Sequence, residues 1–139
     1  MAKGQTVTLS NIGFNGNSFE VNMEQQGVYT YSVQSAAKET IAFYPKGSSK
    51  PLPPSSATGV ILDTYATGIL PKGQYTCKIT SVAQGGRGPV NTVKLIGNQY
   101  TICETTGKKM TMYVVCAEDK TDNDYNDVFL KIYYWDSVG

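Results

Sequence analysis

Apolar and polar positions alternate along most of this chain, and the alternation breaks at clusters of Gly, Pro and Asn. Residues 5–9 alternate and predict a first strand. In 18–23 the same period places Phe19, Val21 and Met23 on one face. Residues 27–33 and 40–44 are rich in β-branched and aromatic side chains and predict two more strands, with a turn of small residues at 34–37 between them. Residues 45–59 hold Pro45, Pro51, Pro53 and Pro54 among serines and glycines, which predicts a long surface loop. The sheet resumes at 60–65. After a turn at 71–73, residues 74–82 predict a strand with Tyr75, Cys77 and Ile79 on one side. Residues 84–89 read as a flexible turn. Two strands at 90–95 and 99–104, joined at Gly97 and Asn98, lead into strands at 110–116 and 128–135. No stretch carries a convincing helical period. Such a pattern means a sandwich or a barrel. The expectation is an all-β, antiparallel β-sandwich of about nine or ten short strands, forming a single domain over 1–139.

Composition sharpens this picture mostly by exclusion. A chain of 139 residues can bury a core without disulfide or metal staples. Its net charge of +1 creates no field for nucleic acid or an anionic membrane. No apolar run is long enough to span a bilayer. Histidine is absent, which removes the usual general base and the commonest zinc or copper ligand. Cys77, Cys103 and Cys116 form no CxxC pair and read as reduced thiols that pack as small hydrophobes. Residues 84–88 are glycine-rich, but no GK[ST] follows, so a phosphate loop is not expected. No apolar run follows Lys3, so no signal peptide is expected. Synthesis and accumulation in the cytosol follow, with later release by a non-classical route left open.

The chemistry concentrates at 118–127. Glu118, Asp119, Asp122, Asp124 and Asp127, with Asn123 and Asn126, crowd into ten positions, while the whole chain has only 11 acidic residues. Two like charges about 5 Å apart repel by about 3 kcal/mol at an effective dielectric of about 20. Asp and Asn are also ordinary turn residues, but a turn needs two or three of them. Seven such oxygen-bearing side chains suit a loop that wraps hard cations, and Ca²⁺ takes six to eight oxygens of this kind. An EF-hand does not fit: counted from Asp122, its glycine would fall at Asp127 and its closing Glu at Tyr133. By ligand type, Asp124 and Asp127 can bridge two ions, Glu118 and Asp122 suit one ion, and Asn126 suits the second through its amide oxygen.

Glu118-Asp119, then Thr121-Asp122-Asn123-Asp124-Tyr125-Asn126-Asp127, an apolar strand, Trp135 and a terminal Gly139 resemble the soluble calcium-dependent bacterial lectins of the LecB type. The resemblance implies a β-sandwich that binds fucose or mannose through two adjacent Ca²⁺ ions, with the same division of ligands. It also implies that Asp119, Thr121, Asp122 and Asp124 face the sugar. The family carries an Asn ligand at the end of an early strand. Here Val33 or Gln34 stands in that place, and Gln34 offers an amide or a backbone carbonyl. Ser35 and Ala36 then match the pair that contacts sugar. Lys120 replaces the family's Gly. The resemblance further implies a homodimer or homotetramer in which the carboxylate of Gly139 completes the calcium site of a second subunit.

Three functions follow. The leading expectation is calcium-dependent carbohydrate binding. The alternative is a calcium-stabilised structural or adhesive β-domain without a sugar site. An enzyme is not expected, because the carboxylates crowd one loop that a cation would neutralise, and no second acid cluster stands opposite them.

Overall fold

The computed structural model describes residues 4–59, 65–119, 125 and 127–137. Twelve strands lie among them: β1 (Thr6–Asn11), β2 (Phe14–Asn15), β3 (Ser18–Met23), β4 (Gly27–Val33), β5 (Ser35–Pro45), β6 (Ser55–Gly59), β7 (Tyr65–Leu70), β8 (Gly73–Val82), β9 (Val90–Asn91), β10 (Lys94–Glu104), β11 (Gly107–Glu118) and β12 (Val128–Trp135). They build two antiparallel six-stranded sheets. The first has the order β1-β10-β11-β12-β4-β7. The second has the order β2-β3-β8-β5-β6, with β9 paired to β8.

The architecture is the expected antiparallel sandwich, but its strands are more numerous and several are long. Residues 90–104 do not turn at Gly97. β10 runs unbroken for 11 residues, because Gly97 lies against the backbone carbonyl of Val114 on β11, where a Cβ would clash. Residues 34–37 do not turn either. From Ser35 to Glu39 buried and outward positions alternate, so this segment opens β5. Part of the proline-rich loop pairs with β5 as β6. Residues 60–64, the expected return to the sheet, lie outside the described residues.

The core fills the space between the sheets. Phe19, Val21 and Met23 of β3 and Tyr75, Cys77 and Ile79 of β8 face Val115, Leu130, Ile132 and their neighbours. Each such side chain contributes about 2 kcal/mol when fully buried. Burial also pushes the Cys77 thiol above its ordinary range, which keeps it unreactive. Cys103 and Cys116 are half-buried and free.

The outer faces differ. On the first sheet one register row reads Leu9, Tyr100, Met112, Tyr133, Val28 and Ile69, apolar or aromatic on every strand. A second row reads Val7, Ile102, Met110 and Trp135. The row through Asn98, Val114, Lys131 and Thr30 is mixed. The second sheet presents Thr80, Thr40 and Ser56 in one row and Glu20, Thr76 and Tyr44 in another.

Candidate metal and ligand site

β11 and β12 are adjacent strands, paired up to Ala117 and Val128. The acidic segment joins their ends, so Glu118, Asp119 and Asp127 emerge from a rigid scaffold rather than a free loop. All three are buried. Each can place a carboxylate oxygen within 4.8 Å of the others. The backbone N–H of Asp119 donates to Asp127 Oδ2 at 2.8 Å, and that of Tyr125 donates to Glu118 Oε2 at 3.3 Å. Tyr125 has φ of 53°, in the left-handed region, which costs a non-glycine residue about 1 kcal/mol. Strain of this kind collects where a loop must hold a ligand.

Three oxygen-bearing acids at such spacing resist ionisation together. Burial, and then the Glu118 and Asp119 carboxyls, raise the pKa of Asp127, against the lowering effect of the Asp119 N–H. Both ion pairs between described residues, Lys108 to Glu24 and Lys109 to Glu104, lie at the surface and touch none of these acids. Asp119 Oδ1 is buried without a hydrogen-bond partner. A donor set of hard carboxylate oxygens with an orphaned atom fits a divalent cation such as Ca²⁺.

The second sheet reaches this cluster from below. Ser35 Oγ donates to Asp119 Oδ2 at 2.7 Å and accepts the Ala37 N–H at 3.0 Å. The Gln34 N–H donates to the carbonyl of Asp127 at 3.1 Å. The chain between β4 and β5 is thereby bound to the acidic segment. Ala36, next to Ser35, is exposed. Asp122, Asp124, Asn126, Thr121 and Gly139 lie outside the described residues.

Three further residues join the cluster that the pattern of the acidic segment does not reveal. Ser81 Oγ donates to Asp119 Oδ2 at 3.2 Å and accepts from Asn91 Nδ2 at 3.0 Å. Glu39 is the cross-strand neighbour of Ser81 and is fully buried. Burial pushes its carboxyl up to about 8; the nearby Ser81 hydroxyl opposes this, and the Asp119 charge adds to it. The signal for both was alternation. Ser81 continues the Tyr75, Cys77, Ile79 row, and Glu39 shares its face with Ile41 and Phe43.

A cleft of about 500 Å³, lined by residues such as Asn11, Glu20, Asn22, Lys46, Gln74 and Tyr113, opens elsewhere. Lys46 follows the far end of β5, about 33 Å from Ser35 at about 3.3 Å per residue. The cleft therefore does not belong to the acidic site, where recognition would rest on coordination at the surface rather than on a deep pocket.

The family described as Fucose-binding lectin II (PA-IIL) matches residues 19–136. Solved structures with the same fold include the C-terminal domain of the BC2L-C lectin from Burkholderia cenocepacia, at 18% identity and a TM-score of 0.61, covering 90% of this chain and 98% of that one. The Chromobacterium violaceum lectin CV2L, solved with α-methyl-fucoside, aligns at 21% identity with a TM-score of 0.63, covering 91% of this chain and 100% of its own. A high-affinity mannose-binding lectin of Ralstonia solanacearum aligns at 20% identity and 0.62, with coverage of 91% and 100%. No curated protein sequence matches the chain.

Proposed function

This chain belongs to the fucose-binding lectin II family, and from that premise we propose that it binds fucose- or mannose-type sugars through calcium held by its acidic segment. The observation that carries the reading is the buried trio Glu118, Asp119 and Asp127, tied through Asp119 to Ser35 of the opposite sheet. Glu118, Asp122, Asp124, Asn126 and Asp127 would hold two Ca²⁺ ions, with Gln34 as a further oxygen donor. Bound calcium supplies open coordination positions for two neighbouring hydroxyls of a sugar. The chain's own residues do the rest. Asp119 and Thr121 accept hydroxyl protons, and charged acceptors make the stronger hydrogen bonds. Ser35 and Ser81 fix the Asp119 carboxylate through Oδ2 and leave Oδ1 without a partner. Ser35 and Ala36 border the sugar and select among hydroxyl arrangements.

The outer face of the first sheet supports assembly with a second copy. Antiparallel sheets commonly keep a polar face toward water, yet Leu9, Ile69 and Trp135 are each more than half exposed here. An apolar patch of this extent marks an interaction surface, and a two-fold contact would lay it against its own copy. Gly139 of such a copy is the proposed donor of a last carboxylate to the calcium site. Among the described residues no helix is long and apolar enough to cross a membrane.

Titration calorimetry with methyl fucoside and methyl mannoside, in millimolar calcium and again in chelator, tests the reading. Heat of binding is expected only with calcium. Equal binding in chelator, or none in either buffer, would overturn it.

A further inference from the structure

The glycine-rich segment at 84–88 has no part in the calcium site, yet it lies at the same end of the sandwich. It begins three residues after Ser81, whose hydroxyl holds Asp119. There the chain reverses in a tight turn. The Gly88 N–H donates to the Ala83 carbonyl at 2.8 Å, the Arg87 N–H to the Gln84 carbonyl at 3.2 Å, and the Ala83 N–H to the Pro89 carbonyl at 2.9 Å. Gln84, Gly85 and Gly86 have φ of 55°, 64° and 102°, three left-handed residues in succession. Two of them are glycine, which adopts this region without a steric penalty. The turn folds onto β5. A Cβ added to Gly86 would stand 3.1 Å from Cδ of Lys38, so the bare backbone of Gly86 packs along the aliphatic stem of that lysine. Arg87 follows directly and is exposed.

Lys38 is exposed as well, and it shares the outward face of β5 with Ala36. Two residues of strand separate them, about 7 Å, within the reach of a lysine side chain. Its neighbours on this face are Val82, Thr40 and Thr80, none of them acidic. Among the described residues neither Lys38 nor Arg87 forms an ion pair. The stem of Lys38 is held by the turn that also brings the arginine, and a side chain already held loses less freedom on meeting a ligand. The acids of the calcium site are neutralised once the metal is bound, so the field beside Ala36 is then set by these two cations. We propose that Lys38 and Arg87 receive an anionic substituent, such as a sulfate ester, on the sugar held at the calcium site, which makes acidic saccharides the preferred ligands. The inference rests on the calcium-lectin reading above. Calcium takes the vicinal hydroxyls of the ring, and the two cations take the charge that projects from it. The planar fork of an arginine matches an oxyanion with two parallel hydrogen bonds, and a lysine adds a mobile point charge.

Titration calorimetry in millimolar calcium is the test. It compares methyl mannoside with its 6-sulfate, whose charge stands off the ring and leaves the vicinal ring hydroxyls free. An exposed charge pair adds about threefold in affinity, so two should favour the sulfated sugar by about tenfold. Added salt should erode this preference, because exposed charges are screened. Lys38→Gln and Arg87→Gln should each lower the ratio of affinities about threefold, and the double variant should bring it to about one. Both side chains lie at the surface, so the variants are expected to fold. A parent that binds both sugars equally overturns the inference alone and leaves the lectin reading intact. So does a preference that persists in the double variant, which would place the sulfate on calcium itself. A parent that binds neither sugar in calcium overturns the lectin reading along with it.

Discussion

The two sheets of this sandwich bury similar apolar inner faces and then do different work. The second sheet turns threonine, serine, lysine and glutamate outward, as a sheet in contact with water does. The first turns Leu9, Tyr100, Met112, Tyr133, Val28 and Ile69 outward in a single row. The first sheet also carries the acids at its strand ends, while the second supplies the hydroxyls that hold them. On the proposed reading one sheet presents both the binding chemistry and the surface for assembly, and the other serves as its support. A site placed beside an assembly face can be completed by the partner copy, which is the role proposed for Gly139.

The largest effect should come from a charge placed on that face. Met112→Glu, at the centre of the apolar row, would bury an unpaired carboxylate on dimerisation, at a cost of about 3 kcal/mol or more. That is more than a hundredfold in dissociation constant. Light scattering should show a monomer at concentrations where the parent is assembled. Thr80→Glu on the outer face of the second sheet should leave the assembly intact. Equal masses for both variants would remove the functional distinction between the faces.

The seam between the sheets gives the next effect. Glu39, raised to about 8 from 4.5, and Asp127, also raised, hold protons in the folded metal-free protein that the unfolded chain has released. A raised acid contributes stability that is present below its unfolded value and is lost as pH climbs through its folded value. Metal-stripped protein should therefore melt at progressively lower temperature from about pH 4.5 to 8, with a ceiling of about 1.4 kcal/mol per pH unit for each proton. Calcium should flatten this dependence, because a bound cation favours the ionised acids at every pH in the window. Scanning calorimetry at three pH values, with and without calcium, decides it. A flat metal-free profile would place these acids in contact with water.

The same division explains how far residue order alone could be read. β3 stands at the predicted bounds because its side chains alternate strictly, and β4 and β12 do because they are dense in β-branched and aromatic residues. β6 and the opening of β5 are mostly Ser, Ala, Gly, Lys and Glu, which have little strand preference; pairing to neighbours makes them strands. The acidic segment announced itself by charge density, a local property. Its supports did not, since Ser35 lies 84 residues from Asp119 and Ser81 lies 38 away, and only the stacking of two sheets brings them together. Glu39 fell between the turn expected at 34–37 and the strand expected at 40–44, so its place on the inner face of β5 did not show.

The smallest effect separates the two residues proposed to border the sugar. Ser35 is buried and makes two hydrogen bonds, one of them short and to a charged acceptor. In Ser35→Ala the Ala37 N–H loses its acceptor, while Asp119 Oδ2 retains Ser81. The expected loss is about 1 kcal/mol, or about 3 °C in melting temperature for a chain of this size. Sugar affinity should fall as well, because Asp119 is then held from one side only. Ala36 is exposed. Ala36→Ser should leave melting and calcium uptake unchanged, within about 0.5 kcal/mol, and yet shift the ratio of fucoside to mannoside affinity by adding a hydroxyl beside the ligand. Competition binding against both glycosides reads that ratio. An Ala36→Ser variant that loses calcium, or a Ser35→Ala variant that melts and binds like the parent, would show that the second sheet does not support the site as drawn.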